Sequence, residues 1–209
     1  GNNITASSDS GIWCERTTPT SDFISIVRNN ISDNNRWGVL LRSSYKCNVV
    51  ENTVSKNKWG IYLSGDSCYD YVIAENNIAF NEEGIRISSQ YITELYHNNF
   101  LNNSCHVYKS SVRAMPVHIW DNGGQGNYWS DYQGFDADGD GIGDEPYIID
   151  TDNIDSYPLI CPYDIEKGAI TLPTPEAHPE PESLSTTPVK LLNGPSIIRT
   201  DSPASNKIF

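Results

Sequence analysis

An Asn followed by a small or polar residue and then an apolar one returns at regular intervals along this chain. The copies are Asn2-Asn3-Ile4, Asn29-Asn30-Ile31, Asn52-Thr53-Val54, Asn76-Asn77-Ile78 and Asn98-Asn99-Phe100, with the leading Asn spaced by 27, 23, 24 and 22 residues. After each comes a Gly that opens an alternating segment: Gly11-Ile12-Trp13-Cys14, Gly38-Val39-Leu40-Leu41, Gly60-Ile61-Tyr62-Leu63 and Gly84-Ile85-Arg86-Ile87, degenerating to His106-Val107-Tyr108-Lys109. A third apolar segment precedes the next Asn: Phe23-Ile24-Ser25-Ile26, Cys47-Asn48-Val49-Val50, Tyr71-Val72-Ile73 and, weakly, Thr93-Glu94-Leu95-Tyr96.

Three short strands per repeat, parted by Asn, Gly and Ser turns, cannot bury their own apolar side chains. Such units must stack at about 4.8 Å per strand. The chain therefore reads as all-β: a right-handed parallel β-helix, a solenoid of about five rungs of 22–24 residues. The first and third positions after each Gly are apolar, so strand alternation turns them inward and the position between them outward. The repeating Asn is assigned the left-handed backbone of a sharp corner, where its amide can stack on its copies above and below. No helical periodicity competes.

The rungs occupy residues 1–119, a closing segment residues 120–165, and a Pro/Ser/Thr/Glu-rich segment residues 166–209. The last, with Pro173-Thr174-Pro175-Glu176 and Pro179-Glu180-Pro181-Glu182, cannot bury enough apolar surface to order itself and reads as an extended, disordered stalk. The chain starts inside a repeat, without an initiator Met or signal peptide, so it is expected to be part of a longer chain. No apolar run is long enough to span a membrane. The five Cys are scattered and read first as buried small hydrophobes; a disulfide between neighbouring coils, with Cys47 and Cys68 the best-placed pair, is the alternative. Sequons at Asn3, Asn30 and Asn102 offer glycosylation sites, although Asn3 and Asn30 are equally well explained as corner residues.

Charge is concentrated. Acidic residues exceed basic ones 27 to 14, and residues 131–166 hold 11 acidic side chains with no Lys or Arg. This balance repels phosphate backbones, which argues against nucleic acid as a partner. Within the acidic segment, Asp136-Ala137-Asp138-Gly139-Asp140-Gly141-Ile142-Gly143-Asp144 places carboxylates at alternate positions ahead of Gly. One tight loop can then aim three oxygens at a hard cation of calcium's size. Mapped on an EF-hand loop, Asp136, Asp138 and Asp140 take positions 1, 3 and 5, the Ile142 carbonyl position 7 and Asp144 position 9. The bidentate Glu is replaced by Tyr147, leaving Glu145, Asp150, Asp152 or water to complete the shell, and no helices flank the loop. A structural Ca2+ is the expectation, and a solvated acidic turn the alternative.

These rungs, followed by Gly126-Asn127-Tyr128-Trp129-Ser130-Asp131-Tyr132, the acidic loop, Pro146-Tyr147 and Asp155-Ser156-Tyr157-Pro158-Leu159, resemble the NosD-like right-handed β-helix proteins, over about residues 1–163. That group includes carbohydrate-binding and sugar-hydrolase β-helix repeats abundant on archaeal cell surfaces. The acidic loop alone is similar to the calcium loops of thrombospondin type-3 repeats. The resemblance implies an extracytoplasmic, calcium-stabilised β-helix and little about activity, since the fold hosts lyases, hydrolases, epimerases and inert modules alike. NosD is associated with maturing a copper enzyme, so His97, Cys105, His106, Met115 and His118 come into question. Their spacing matches no recognised ligand pattern, which favours surface or corner roles.

The outward position two after Gly gives Trp13, Leu40, Tyr62, Arg86 and Tyr108, a ladder up one face. Aromatic faces with an interposed guanidinium suit a sugar chain, so Trp13, Tyr62, Arg86 and Tyr108 are candidate substrate-binding residues. Plain rung-to-rung stacking, including Trp37 on Trp59, explains the same pattern. No catalytic residue is assigned: Asp66, Asp70, Glu82 and Glu83 read as turn residues with no convincing pairing. The leading expectation is a non-enzymatic extracellular module for surface structure, adhesion or glycan contact; the alternative is a fragment of a polysaccharide lyase, hydrolase or epimerase.

Overall fold

The computed structural model describes residues 1–15, 23–44, 46–65, 70–89, 91–109 and 116–170. Asp66, Cys68, Met115 and the Pro-rich segment from residue 171 onward lie outside them, so the alternative Cys47–Cys68 disulfide and the expected stalk fall beyond what is described.

Three parallel sheets wall one core. The first stacks β1 (Asn3–Thr5), β4 (Asn30–Ser32), β7 (Thr53–Ser55), β10 (Asn77–Ala79), β13 (Asn99–Leu101) and β15 (Tyr128–Trp129). The second stacks β2 (Ile12–Glu15), β5 (Trp37–Arg42), β8 (Trp59–Gly65), β11 (Glu83–Ser89) and β14 (Cys105–Lys109). The third stacks β3 (Ile24–Val27), β6 (Cys47–Val50), β9 (Tyr71–Ala74) and β12 (Thr93–Tyr96). Every pairing in these sheets is parallel, and the strands of one sheet come from successive repeats, which defines a β-solenoid. Four coils are complete. In the fifth, the third wall shrinks to one parallel bridge between Glu94 and Ile119, so the expected five rungs are four and a partial one.

The inward rows follow the alternation. Ile31, Val54, Ile78 and Phe100 line the first sheet, Val39/Leu41, Ile61/Leu63 and Ile85/Ile87 the second, and Val49, Ile73 and Leu95 the third, all fully buried. Each such side chain contributes about 1.5–3 kcal/mol on burial. Gly is required where coils approach most closely: a Cβ on Gly38 would lie 2.7 Å from the Gly60 carbonyl oxygen, and one on Gly60 2.4 Å from that of Gly84.

The corners differ from the expectation in one respect. The left-handed residue is the one before each Asn: Arg28 (φ 57°), Glu51 (56°), Glu75 (56°) and His97 (55°) precede Asn29, Asn52, Asn76 and Asn98. The Asn itself stays free to bond along the stack. Asn76 Nδ2 donates to Val49 O (2.8 Å), Ala74 O (2.8 Å) and Asn98 Oδ1 (2.9 Å), while Asn76 Oδ1 accepts the Asn52 N–H (2.9 Å). The ladder runs Asn29, Asn52, Asn76, Asn98 and on to Asn127. A second ladder, absent from the sequence reading, runs Asn34, Asn57, Asn81, Asn103, each again preceded by a left-handed residue (Asp33, Lys56, Phe80, Asn102). Asn3 and Asn30, by contrast, are not corner residues; they open β1 and β4 with exposed side chains.

The closing segment completes these rows. β15 lays Trp129 over Phe100, ring on ring at 4.2 Å, and Tyr147 stacks on the other face of Trp129 at 4.2 Å. Two hairpins follow, β16 (Tyr147–Ile148) with β17 (Ile154–Asp155) and β18 (Tyr163–Asp164) with β19 (Ala169–Ile170). Among the described residues no helix is long and apolar enough to cross a membrane.

Candidate functional site

The ladder on the second sheet assembles as strand register dictates. Trp13 pairs with Leu40, Leu40 with Tyr62, Tyr62 with Arg86, and Arg86 with Tyr108. Its two ends are open, Trp13 at 52% and Tyr108 at 38% exposure, whereas Leu40 is buried. Position −1 to the Gly adds a second row on the same face: Trp37 stacks on Trp59 (5.6 Å) and on Tyr62 (6.1 Å), with Trp13 edge-on at 6.4 Å. Cations cover several rings. The Arg36 guanidinium lies 3.8 Å from the Trp37 centroid, Lys58 4.9 Å from Trp59, and Arg86 4.1 Å from Tyr108.

Glu83, expected in a turn, instead opens β11 in register with Trp59 and grips Arg86 through two contacts, Nε–Oε2 at 2.6 Å and Nη2–Oε1 at 3.0 Å. That hydrogen-bonded carboxylate raises the Arg86 pKa and fixes the guanidinium plane over Tyr108. The signal for Glu83 was present in the sequence, since it stands one residue before Gly84 as Trp37 and Trp59 stand before their Gly. The ladder thus combines a rigid cation with exposed aromatic ends, and Arg86 is neutralised by its partner.

In the acidic loop, Asp136, Asp138 and Asp140 bring carboxylate oxygens within 4.8 Å of one another. Asp136 accepts the N–H groups of Gly139 (2.7 Å), Gly141 (2.8 Å) and Asp140 (3.3 Å), which hold its pKa low, the Gly141 bond foremost. The Asp140 N–H lowers Asp138 too, but the Asp140 charge and a hydrogen bond to Asp136 outweigh it, so Asp138 is raised. A dication would relieve that repulsion. Ile142 and Asp144 sit at the loop's base: the Asp144 carboxylate accepts the Ala137 N–H (2.9 Å), and Ile142 bridges Leu159. The structure gathers three of the five expected ligands. Of the residues considered for the rest of the shell, Asp150 is committed elsewhere, ion-paired with Lys109.

The His and Cys residues lie apart from this loop. His97 stacks on Tyr163 at 4.1 Å, and His118 is buried edge-on to Trp120. His106 packs beside Phe100 and Trp129 with Nε2 3.2 Å from Asp131. Burial lowers the pKa of all three. Cys105, His106, Asp131 and Tyr147 line one pocket of about 250 Å3 beside the closing segment. The Cys105 thiol donates to Val107 O at 3.3 Å, and burial raises its pKa, so it is a poor nucleophile in this state.

A sequence model of the family described as "Periplasmic copper-binding protein (NosD)" matches residues 1–134. The chain belongs to the NosD family. A curated relative, "Probable ABC transporter binding protein NosD" of Pseudomonas aeruginosa, is 29% identical over 153 residues, covering 66% of this chain and 35% of the relative. The chain therefore spans about a third of the length of the curated NosD it matches. No solved structure matches.

The NosD match takes in every complete coil and the whole ladder, and ends just before Asp136, so the acidic loop lies beyond the matched region. The family description places NosD proteins in the periplasm, on the far side of the cytoplasmic membrane. Among the described residues, Asp136, Asp138 and Asp140 are the set of three or more His, Cys, Asp or Glu side chains placed to share one ion. His97, Cys105, His106 and His118 do not form such a set, and Met115 lies outside the described residues.

Proposed function

We propose that this chain is an extracytoplasmic β-helix module whose second-sheet face contacts a glycan or other cell-surface polymer, with Ca2+ in the acidic loop stapling its closing segment. The observation that carries the reading is the register-matched face with Trp13 and Tyr108 exposed at its ends and Arg86 held flat between tyrosines. Aromatic faces meet the apolar faces of sugar rings, while the guanidinium edge donates to hydroxyls. The Glu83–Arg86 pair speaks against a lyase or hydrolase on this face, because Arg86 holds the carboxylate beside it instead of leaving it to act on substrate.

The test is affinity electrophoresis against a panel of neutral and acidic polysaccharides. Wild type is retarded by at least one polymer, and Trp13→Ala and Tyr108→Ala lose about tenfold or more of that affinity with unchanged melting temperature. Retardation by none, or equal retardation of the variants, removes the glycan reading and leaves the ladder as rung-to-rung stacking.

Copper handling is the second reading. The family description and the pocket lined by Cys105, His106 and Asp131 favour it. Competition of the protein with a chromophoric copper(I) chelator tests it: a stoichiometric site abolished by Cys105→Ser and His106→Gln would move the assignment to copper, and its absence would retire the pocket as a metal site.

A further inference from the structure

Among the described residues, the Trp37 Nε1–H and the Ser10 hydroxyl oxygen are buried without a hydrogen-bond partner. The two are neighbours in one row of the second-sheet face. Ser10 stands before Gly11 as Trp37 stands before Gly38, β2 and β5 pair in that register, and the Gly11 N–H donates to Trp37 O (2.8 Å). One strand spacing of about 4.8 Å separates their backbones. Buried donors and acceptors are nearly always paired, because an unmade bond leaves the desolvation of its group uncompensated. An orphaned donor beside an orphaned hydroxyl marks a slot for a third group.

Trp37 is 9% exposed, yet the side chains around its ring belong to the outer surface and not to the core. Trp13 lies edge-on at 6.4 Å and is itself half exposed. The Arg36 guanidinium, on a half-exposed side chain, sits 3.8 Å from the ring centroid. Exposed side chains change rotamer within nanoseconds, so a ligand arriving on Trp13 can displace this cover.

The chemistry of the slot selects the ligand group. An indole N–H only donates, whereas a serine hydroxyl donates and accepts. One hydroxyl satisfies both, accepting from Trp37 and donating to Ser10. An apolar group would leave both unpaired. A carboxylate is disfavoured, because Arg36, the cation beside the slot, is already held by Asp9 at 3.1 Å, whose charge repels a second anion.

We propose that Ser10 and Trp37 form a subsite that reads one hydroxyl of a neutral sugar unit stacked on Trp13. This subsite rests on the second-sheet face contacting a glycan, and within that contact it selects among sugars by hydroxyl position.

Affinity electrophoresis in gels carrying laminarin, dextran, galactomannan or polygalacturonate tests it, with NMR of the indole N–H groups as a second readout. At least one of the neutral polymers retards the wild type, and Ser10→Ala loses about tenfold of that affinity. The melting temperature of Ser10→Ala is equal or higher, because the lost hydroxyl had no partner in the fold. The Trp37 indole signal, identified by its absence from Trp37→Phe, moves when a hexasaccharide of the retarding polymer is added. Equal retardation of Ser10→Ala, a lower melting temperature for it, or a stationary Trp37 signal each overturns the subsite and leaves the ladder reading standing. Retardation by polygalacturonate alone overturns the neutral subsite but not the ladder. Retardation by none of the four overturns both.

Discussion

Two buried groups, His118 on the last partial coil and Asp155 in the closing segment, titrate in opposite senses. His118 accepts the Thr93 N–H at Nδ1 (3.2 Å) and has no partner at Nε2; burial and the nearby Lys109 charge drive its pKa down to about 4. Its stabilising contribution is present above the unfolded value near 6.5 and is lost as pH falls towards 4, about 3 kcal/mol in all. Asp155 accepts Asn127 N–H (2.7 Å), Trp129 Nε1–H (2.9 Å) and Tyr157 N–H (3.2 Å), yet complete burial pushes it up to about 6. Its contribution is full below the unfolded value of 3.8 and is lost as pH rises towards 6, again about 3 kcal/mol. The two nearly cancel in the wild type. Relative to the wild-type profile, urea melts between pH 4 and pH 6.5 should therefore tilt towards falling with pH for His118→Gln and towards rising with pH for Asp155→Asn. Parallel profiles in all three proteins would contradict this assignment. A third titrating group, Asp150, is held down to about 2 by Lys109 and the N–H groups of Asp152 and Asn153 despite its burial, so it stays ionised through that window.

At the scale of the element, the Asn ladders set the corners. Asn76→Ala strands the buried carbonyls of Val49 and Ala74 and the Asn52 N–H, and unsatisfied groups cost about 1–3 kcal/mol each. A loss of about 3 kcal/mol or more in denaturant melts is expected there, against under about 1 kcal/mol for the half-exposed Asn29. Gly60→Ala should cost about 1–3 kcal/mol by forcing two coils apart, again read from denaturant melts.

What could be read in advance follows from the same physics. The strand rows were legible because inward positions must be apolar on every rung, as in Ile61, Ile85 and their neighbours. The second Asn ladder was not, because Asn34, Asn57, Asn81 and Asn103 look like ordinary turn residues until stacking brings them together. Nor were the left-handed positions legible. Arg28, Glu51, Glu75, His97 and Phe80 share no chemistry, since the following Asn amide, rather than their own side chain, secures the turn. The acidic loop was legible as spacing, and its closure through the Asp144 carboxylate was not.

Across the whole molecule, the closing segment continues each repeat feature one step further. Asn127 extends the first Asn ladder, Trp129 the inward row of the first sheet, and the Ser130 hydroxyl accepts the Asn102 N–H (2.9 Å). Gly126 is needed because a Cβ there would collide with the Asp155 carboxylate. The acidic loop joins this closure through Gly143, whose N–H bonds Pro158 O (2.7 Å), and through the Ile142–Leu159 bridge, while Leu159 itself bridges Tyr128. An ion fixing Asp136, Asp138 and Asp140 would tie that end of the solenoid to its last coil. The most direct test is a thermal melt of the wild type and of the Asp138→Asn/Asp140→Asn double variant, with Ca2+ and with a chelator. Binding to the native state alone adds about 2.7 kcal/mol at a hundredfold excess over the dissociation constant. The account predicts a clear calcium-dependent rise in melting temperature for the wild type and none for the variant; equal melting with calcium and chelator in the wild type would contradict it.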